Sequence, residues 1–115
     1  MTSEQLELAV IVPLHNENES INYFYNRLRS TLEVIKDLTK WEVIFVNDGS
    51  TDNSLEKLKE LRENDKRVNI ISLARSFGYQ NALQAGLITA TANYYSIVDV
   101  DCEDPPELLE EFYHS

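Results

Sequence analysis

The carboxylates Glu17, Asp48, Asp99, Asp101, Glu103 and Asp104 lie in three short polar segments, "PLHNEN", "NDGSTD" and "DVDCEDPP", none of which contains a lysine or arginine. If a fold brings these segments together, their charge has to be balanced. A bare pair of carboxylates ~5 Å apart repels by about 3 kcal/mol at an effective dielectric of ~20. Oxygen-only ligands select Mg²⁺ or Mn²⁺ over zinc or copper, and Mg²⁺ is usually shared between one or two carboxylates and the phosphates of a substrate. An acidic site that holds an anionic diphosphate through a divalent cation balances the charge on both sides.

The elements that must carry these segments are legible from apolar patterning. Leu8 to Val12 is a continuous apolar run closed by Pro13, the pattern of a strand buried on both faces. Ile21, Phe24, Tyr25, Leu28, Leu32 and Ile35 recur at helical steps, predicting a helix over Glu19–Leu38 whose stripe is core and not a lipid groove. A second strand, Glu42 to Asn47, ends in "DGSTD", where Gly49 permits a tight turn and Ser50, Thr51 or Asp52 can cap the helix marked by Leu55, Leu58 and Leu61. A third strand spans Val68 to Leu73. Gln80 to Ala92 is a helix of small residues suited to close packing, and Tyr94 to Val98 is a fourth strand. Pro105 and Pro106 stiffen the loop that follows.

Strands alternating with helices at this spacing imply βαβ units, an α/β fold with a mostly parallel sheet and helices on both faces. In half of a doubly wound sheet the strands lie in the order 3-2-1-4, and ligands bind beyond the strands' C-terminal ends where the order reverses. The three acidic segments all follow strands and so converge there.

Composition narrows the function. The chain has 115 residues, 43% of them hydrophobic, with three glycines and three prolines, which is one foldable domain's worth of sequence. A formal charge of −10 without any cluster of Lys and Arg excludes a nucleic-acid-binding surface. The single Cys102 forms no internal bridge, which suits a reducing, cytoplasmic compartment. Beside acidic neighbours its thiolate is disfavoured, so it is not read as a nucleophile. The longest apolar runs fall far short of the roughly 18 to 20 residues that span a bilayer, and "MTSEQLE" has no secretory pattern. "PPELLEEFYHS" begins a helix-like pattern that stops after about two turns, which reads as a cut. Leu108, Leu109 and Phe112 would then leave apolar surface exposed, favouring self-association.

"VIVPLHNENESI", "VIFVNDGSTDNSLEKL", "LARSFGYQNALQAGL" and "IVDVDCEDPPELL" together resemble the large inverting glycosyltransferase family that includes dolichyl-phosphate mannosyltransferases and bacterial undecaprenyl-phosphate glucosyltransferases. The resemblance runs from about Leu8 to Leu109 and implies the Rossmann-like GT-A fold and a nucleotide-sugar donor, UDP- or GDP-linked. Carried over position by position, it implies that Pro13, Leu14, Asn16 and Glu17 line the nucleotide pocket, that Asp48 accepts a base N–H, and that Arg75 approaches the nucleotide. Asp99 and Asp101 match the family's D-x-D motif and are the implied catalytic pair, Asp99 also on the nucleotide side and Asp101 as the direct metal ligand, with Glu103 beside it. Cys102 and Glu103 stand where the polyprenyl-phosphate branch commonly has Leu and Gln, and Asn47 where an Asp is often found; Glu103 remains an oxygen donor.

The resemblance implies Mg²⁺ or Mn²⁺ as cofactor and a lipid phosphate as acceptor, reached at the cytoplasmic membrane face through sequence beyond this chain. The 115 residues are read as a single domain, the N-terminal donor-binding part of a longer enzyme, inactive alone. Two other readings stand beside this one. "DVDCE" echoes the D-x-D-x-T of aspartate-nucleophile phosphatases, but that motif follows a first strand and needs a later Lys, and no Lys follows Asp101. The chain could also bind nucleotides without turnover.

Overall fold

The computed structural model describes residues 6–35, 38, 40–89 and 92–98. Four strands and three helices alternate: β1 (Leu6–Leu14), α1 (Ile21–Val34), β2 (Trp41–Asp48), α2 (Ser54–Asn64), β3 (Val68–Leu73), α3 (Tyr79–Thr89) and β4 (Ala92–Ile97). The sheet is parallel throughout, in the order β3-β2-β1-β4, as the sequence predicts. Strand β1 is therefore central, pairing Val10 with Val43 on one side and with Ser96 on the other.

Two-sided burial explains why β1 and β2 read as unbroken apolar runs. Alternate residues Leu8, Val10, Val12 and Leu14 face one layer with Phe24, Leu28, Leu32 and Leu58, so α1 and α2 share that side. Ala9 and Ile11 face the other, with Ile44, Val46 and Ala82 of α3. The first layer centres on Phe45, whose ring meets Phe24 edge-on at 6.5 Å and Tyr25 at 6.1 Å. Burying each such large side chain contributes about 1.5–3 kcal/mol. On the second layer α3 lies so close that a Cβ on Gly86 would stand 2.7 Å from Ile11 Cγ2 and 3.2 Å from Val46 Cγ2. The small-residue run is thus a fit to the sheet, not a generic helix preference.

Helix ends differ from the sequence expectation. α1 begins at Ile21 rather than Glu19 and stops at Val34, because Ile35 turns extended (φ −69°, ψ 122°) and its N–H bonds Leu32 O at 3.4 Å. Ile35 and Leu38 nevertheless remain buried, so the apolar rhythm outlasts the helical backbone. α3 starts at Tyr79 and ends by Thr89, and Ala92, expected in it, belongs to β4, paired with Leu6. β4 accordingly starts two residues earlier than the periodicity suggests, while Val98 keeps a bond from its N–H to Ile11 O (3.1 Å).

At the N-terminal end of the sheet a polar cluster ties α1 to β3. Asp65 accepts from Tyr25 Oη at 2.6 Å and from Arg67 Nε at 2.9 Å, Arg67 also reaches Glu33 at 3.1 Å, and its guanidinium covers the Trp41 ring at 4.0 Å. Burial opposes ionisation of Asp65, but the bonds from Arg67 and then Tyr25 outweigh it and hold its carboxyl down at about 2. Burial and the bond to Asp65 push the Tyr25 phenol up. The folded pKa of Asp65 lies below the ordinary value of 3.8, so its contribution is present above about pH 4 and is lost as pH falls toward 2. With its partner Arg67 41% exposed and screened, the stabilisation is about 1 kcal/mol. Asp65→Asn should therefore lower the urea midpoint at pH 7 yet converge with wild type near pH 2. A constant gap across that range would contradict this account.

Candidate active site

At the C-terminal edge of the sheet the loops after β1, β2 and β3 meet, and hydrogen bonds between residues far apart in sequence lock them. Asn16 adopts a left-handed backbone (φ 54°), which turns its side chain back onto the β2–α2 loop. Asn16 Oδ1 accepts from Thr51 N at 2.8 Å and Asp52 N at 3.3 Å, while Asn16 N donates to Ser50 Oγ at 2.9 Å. Glu17 N donates to Ser54 Oγ (3.1 Å) and Asn18 N to Asp52 Oδ2 (3.3 Å). Asp52 is only slightly buried; burial raises its pKa, but bonds from Ser54 and Asn18 prevail and lower it. His15 Nδ1 lies 2.6 Å from the Asp48 carbonyl and so carries the proton, leaving Nε2 to accept from Asn16 Nδ2 at 3.3 Å.

The third loop is held by Asp48, the last residue of β2. Its Oδ1 accepts from Phe77 N at 2.7 Å, and its Oδ2 from Ser76 Oγ and Gly78 N, each at 3.1 Å. Asn47 behind it receives Ser50 N on its Oδ1 at 3.3 Å and donates to Ser72 Oγ at 3.3 Å. Gly49 (φ 66°) sits against the Arg75–Ser76 peptide with no room for a Cβ. The Arg75 guanidinium, exposed, stacks over the Phe77 ring at 4.7 Å.

The residues singled out from the sequence thus fall into three groups. Pro13 and Leu14 close β1 and are buried, and Asn16 and Glu17 stand in the loop after it. Asp48 and Arg75 share the β2–β3 corner. Asp99, Asp101 and Glu103 lie outside the described residues. Among the described residues no three His, Cys, Asp or Glu side chains group as metal ligands. Of Ser50, Thr51 and Asp52, any of which the sequence offers as a cap of α2, it is Asp52 whose Oδ1 takes the first N–H of the helix, Ser54 N, at 2.9 Å, while Asn53 stands at the N-cap position without a side-chain bond. Sequence reasoning missed Ser54 and Ser76 as loop ties. The sequence signal for the first is a serine directly before the leucine rhythm of α2, and the structure makes Ser54 wholly inaccessible.

A parallel sheet in this order, with helices on both faces and its polar loops crossed at the C-terminal edge, defines a Rossmann-like α/β domain of the GT-A architecture. The chain belongs to glycosyl transferase family 2, whose model matches residues 9–115. It is 40% identical over 109 residues to the uncharacterized glycosyltransferase YkcC of Bacillus subtilis, covering 95% of this chain and 33% of that protein. It is 36% identical over 104 residues to a prophage bactoprenol glucosyl transferase homolog of Escherichia coli, covering 90% of this chain and 33% of that protein. The chain therefore spans about a third of the length of these curated relatives. Among solved structures, Staphylococcus aureus TarS 1-349 in complex with UDP-GlcNAc shares the fold at a TM-score of 0.75 and 23% identity, over 95% of this chain and 30% of that one. The mannosyltransferase PcManGT from Pyrobaculum calidifontis, in complex with GDP-Man and Mn²⁺, matches at a TM-score of 0.72 and 25% identity, over 86% of this chain and 28% of that one. Membership of the family sets the phosphatase reading aside. No described helix is long and apolar enough to cross a membrane.

Proposed function

We propose that this chain is the nucleotide-sugar-binding portion of an inverting glycosyltransferase that passes a sugar from a UDP- or GDP-linked donor to a polyprenyl phosphate. The observation that carries the reading is the locked meeting of three loops at the C-terminal edge of the sheet, the edge toward which β4, parallel to β1, runs before Val98, the residue that precedes the D-x-D sequence. The likeness to a bactoprenol glucosyl transferase homolog supports the acceptor class.

In this reading Pro13, Leu14, Asn16, Glu17, Asp48, Arg75 and Asp99 line the nucleotide site, and Arg75 brings positive charge to the donor. Asp101, with Asp99 and Glu103, would hold Mg²⁺ or Mn²⁺; three carboxylates offer the anionic oxygen donors that suit a hard cation. The metal, when bound, neutralises the charge that develops on the leaving diphosphate. An acceptor phosphate oxygen attacks the anomeric carbon opposite the leaving group, the bond to the diphosphate breaks with its electron pair, and configuration inverts. Because that phosphate is already anionic near neutral pH, the step needs no strong general base.

The chain by itself is the donor-binding domain and binds without turnover, with acceptor chemistry and membrane contact supplied by further sequence. Supplied with labelled nucleotide sugar, Mn²⁺ and undecaprenyl phosphate, a longer protein containing this chain should yield a chloroform-soluble labelled product. Label found only in polysaccharide would refute the lipid acceptor, and equal turnover by the chain alone would refute the division of labour.

A further inference from the structure

The Asp48 carboxylate is engaged mainly by the protein itself. It is buried, 5% exposed, and three of its roughly four acceptor positions are filled by Ser76, Phe77 and Gly78. Two of those donors are backbone N–H groups at the start of α3, where Gly78 O receives Ala82 N at 3.0 Å. The helix has no acidic residue in its own first turn, so Asp48 supplies from β2 the negative charge that a helix N-terminus favours. The α3 N-terminus, a ready anion site in many α/β folds, is thereby occupied by the protein's own carboxylate. Independently, Gly49 presses on the Arg75–Ser76 peptide, fixing the same loop one residue further back. The cation left facing outward from this anchored loop is Arg75, seated on the Phe77 ring.

We propose that Asp48 is a positioning residue of the donor site, fixing the 76–78 loop so that the Arg75 guanidinium, braced on Phe77, meets the donor nucleotide. The inference rests on the donor-binding reading and gives Asp48 a task different from accepting a base N–H. A carboxylate that reads a base discriminates among bases. One that sets a loop affects every nucleotide alike and acts only while Arg75 is there to be placed.

The test has two parts, both on the chain itself. In nucleotide-free protein, the Phe77 and Gly78 amides should exchange with solvent slowly, and Asp48→Asn should speed them at least about tenfold while β2 amides such as Phe45 hold. Titrations with UDP, GDP and CDP in Mn²⁺ should show Asp48→Asn weakening each by a similar factor, about tenfold or more. In an Arg75→Ala background the same substitution should add less than about twofold. Should Asp48→Asn not fold, Ser76→Ala keeps the charge and removes one bond; its smaller loss should likewise vanish without Arg75. Unprotected wild-type amides, an equal loss in both backgrounds, a loss confined to one base, or unchanged binding would each overturn the proposal. If the wild-type chain binds no nucleotide, the donor reading falls, and with it the service proposed for Asp48, while protected amides would still establish the loop anchor.

Discussion

Asp101→Asn should abolish Mn²⁺-dependent nucleotide binding and leave the fold unchanged. The substitution is nearly isosteric but replaces one carboxylate oxygen with an amide nitrogen and removes a full charge from the proposed hard-cation site, for which anionic oxygens are the preferred ligands. Loss of groups that merely orient metal ligands typically costs 10–100-fold, on the order of which a direct ligand must cost at least as much, so about 100-fold or more is expected. The ties described in the β1, β2 and β3 loops, such as Asn16 to Thr51, Glu17 to Ser54 and Asp48 to Phe77, hold those loops together through other residues, so circular dichroism and the urea midpoint should match wild type. A variant that binds metal and nucleotide normally would remove Asp101 from the metal site.

Gly49→Ala should be the most damaging single methyl addition at the loop junction. A non-glycine residue at φ 66° costs about 1–2 kcal/mol by itself. The added Cβ would also run into the Arg75 carbonyl carbon and Ser76 nitrogen, with Arg75 Cα at 2.8 Å, and these are backbone atoms that cannot swing aside. A loss above about 2 kcal/mol in chemical denaturation is expected, together with weakened nucleotide binding, because relief of the overlap displaces Arg75. Gly78→Ala is the control: its φ of 96° is also unfavourable, but nothing lies within 4 Å of the new Cβ, so it should cost less. Equal effects of the two would show that backbone strain alone, not the contact with Arg75, makes Gly49 necessary.

What the sequence displays and what it hides follow from the kind of interaction involved. β1 and β2 are visible because burial on both faces demands uninterrupted apolar residues, and Val10, Ile11 and Val12 are all fully inaccessible. The strand order is visible because alternation with helices leaves few topologies. The end of α1 is hidden, since Ile35 and Leu38 go on packing after the helix has stopped. The loop locks are hidden for a different reason. Asn16 to Thr51, Glu17 to Ser54 and Asp48 to Phe77 join residues 35, 37 and 29 positions apart, and no periodicity records which polar side chain answers which distant N–H. Family likeness marked Asn16, Glu17, Asp48 and Arg75 as a group, but the partner of the Asp48 carboxylate became legible only when the 76–78 loop was seen folded onto it.

Donor binding through a metal is the central claim, and calorimetric titration of the chain with UDP, GDP and CDP, with Mn²⁺ and again with excess EDTA, tests it most directly. The account predicts saturable one-to-one binding of UDP or GDP in Mn²⁺ that largely disappears on chelation. Absence of binding by all three in Mn²⁺, from protein whose circular dichroism shows the α/β fold intact, would contradict it.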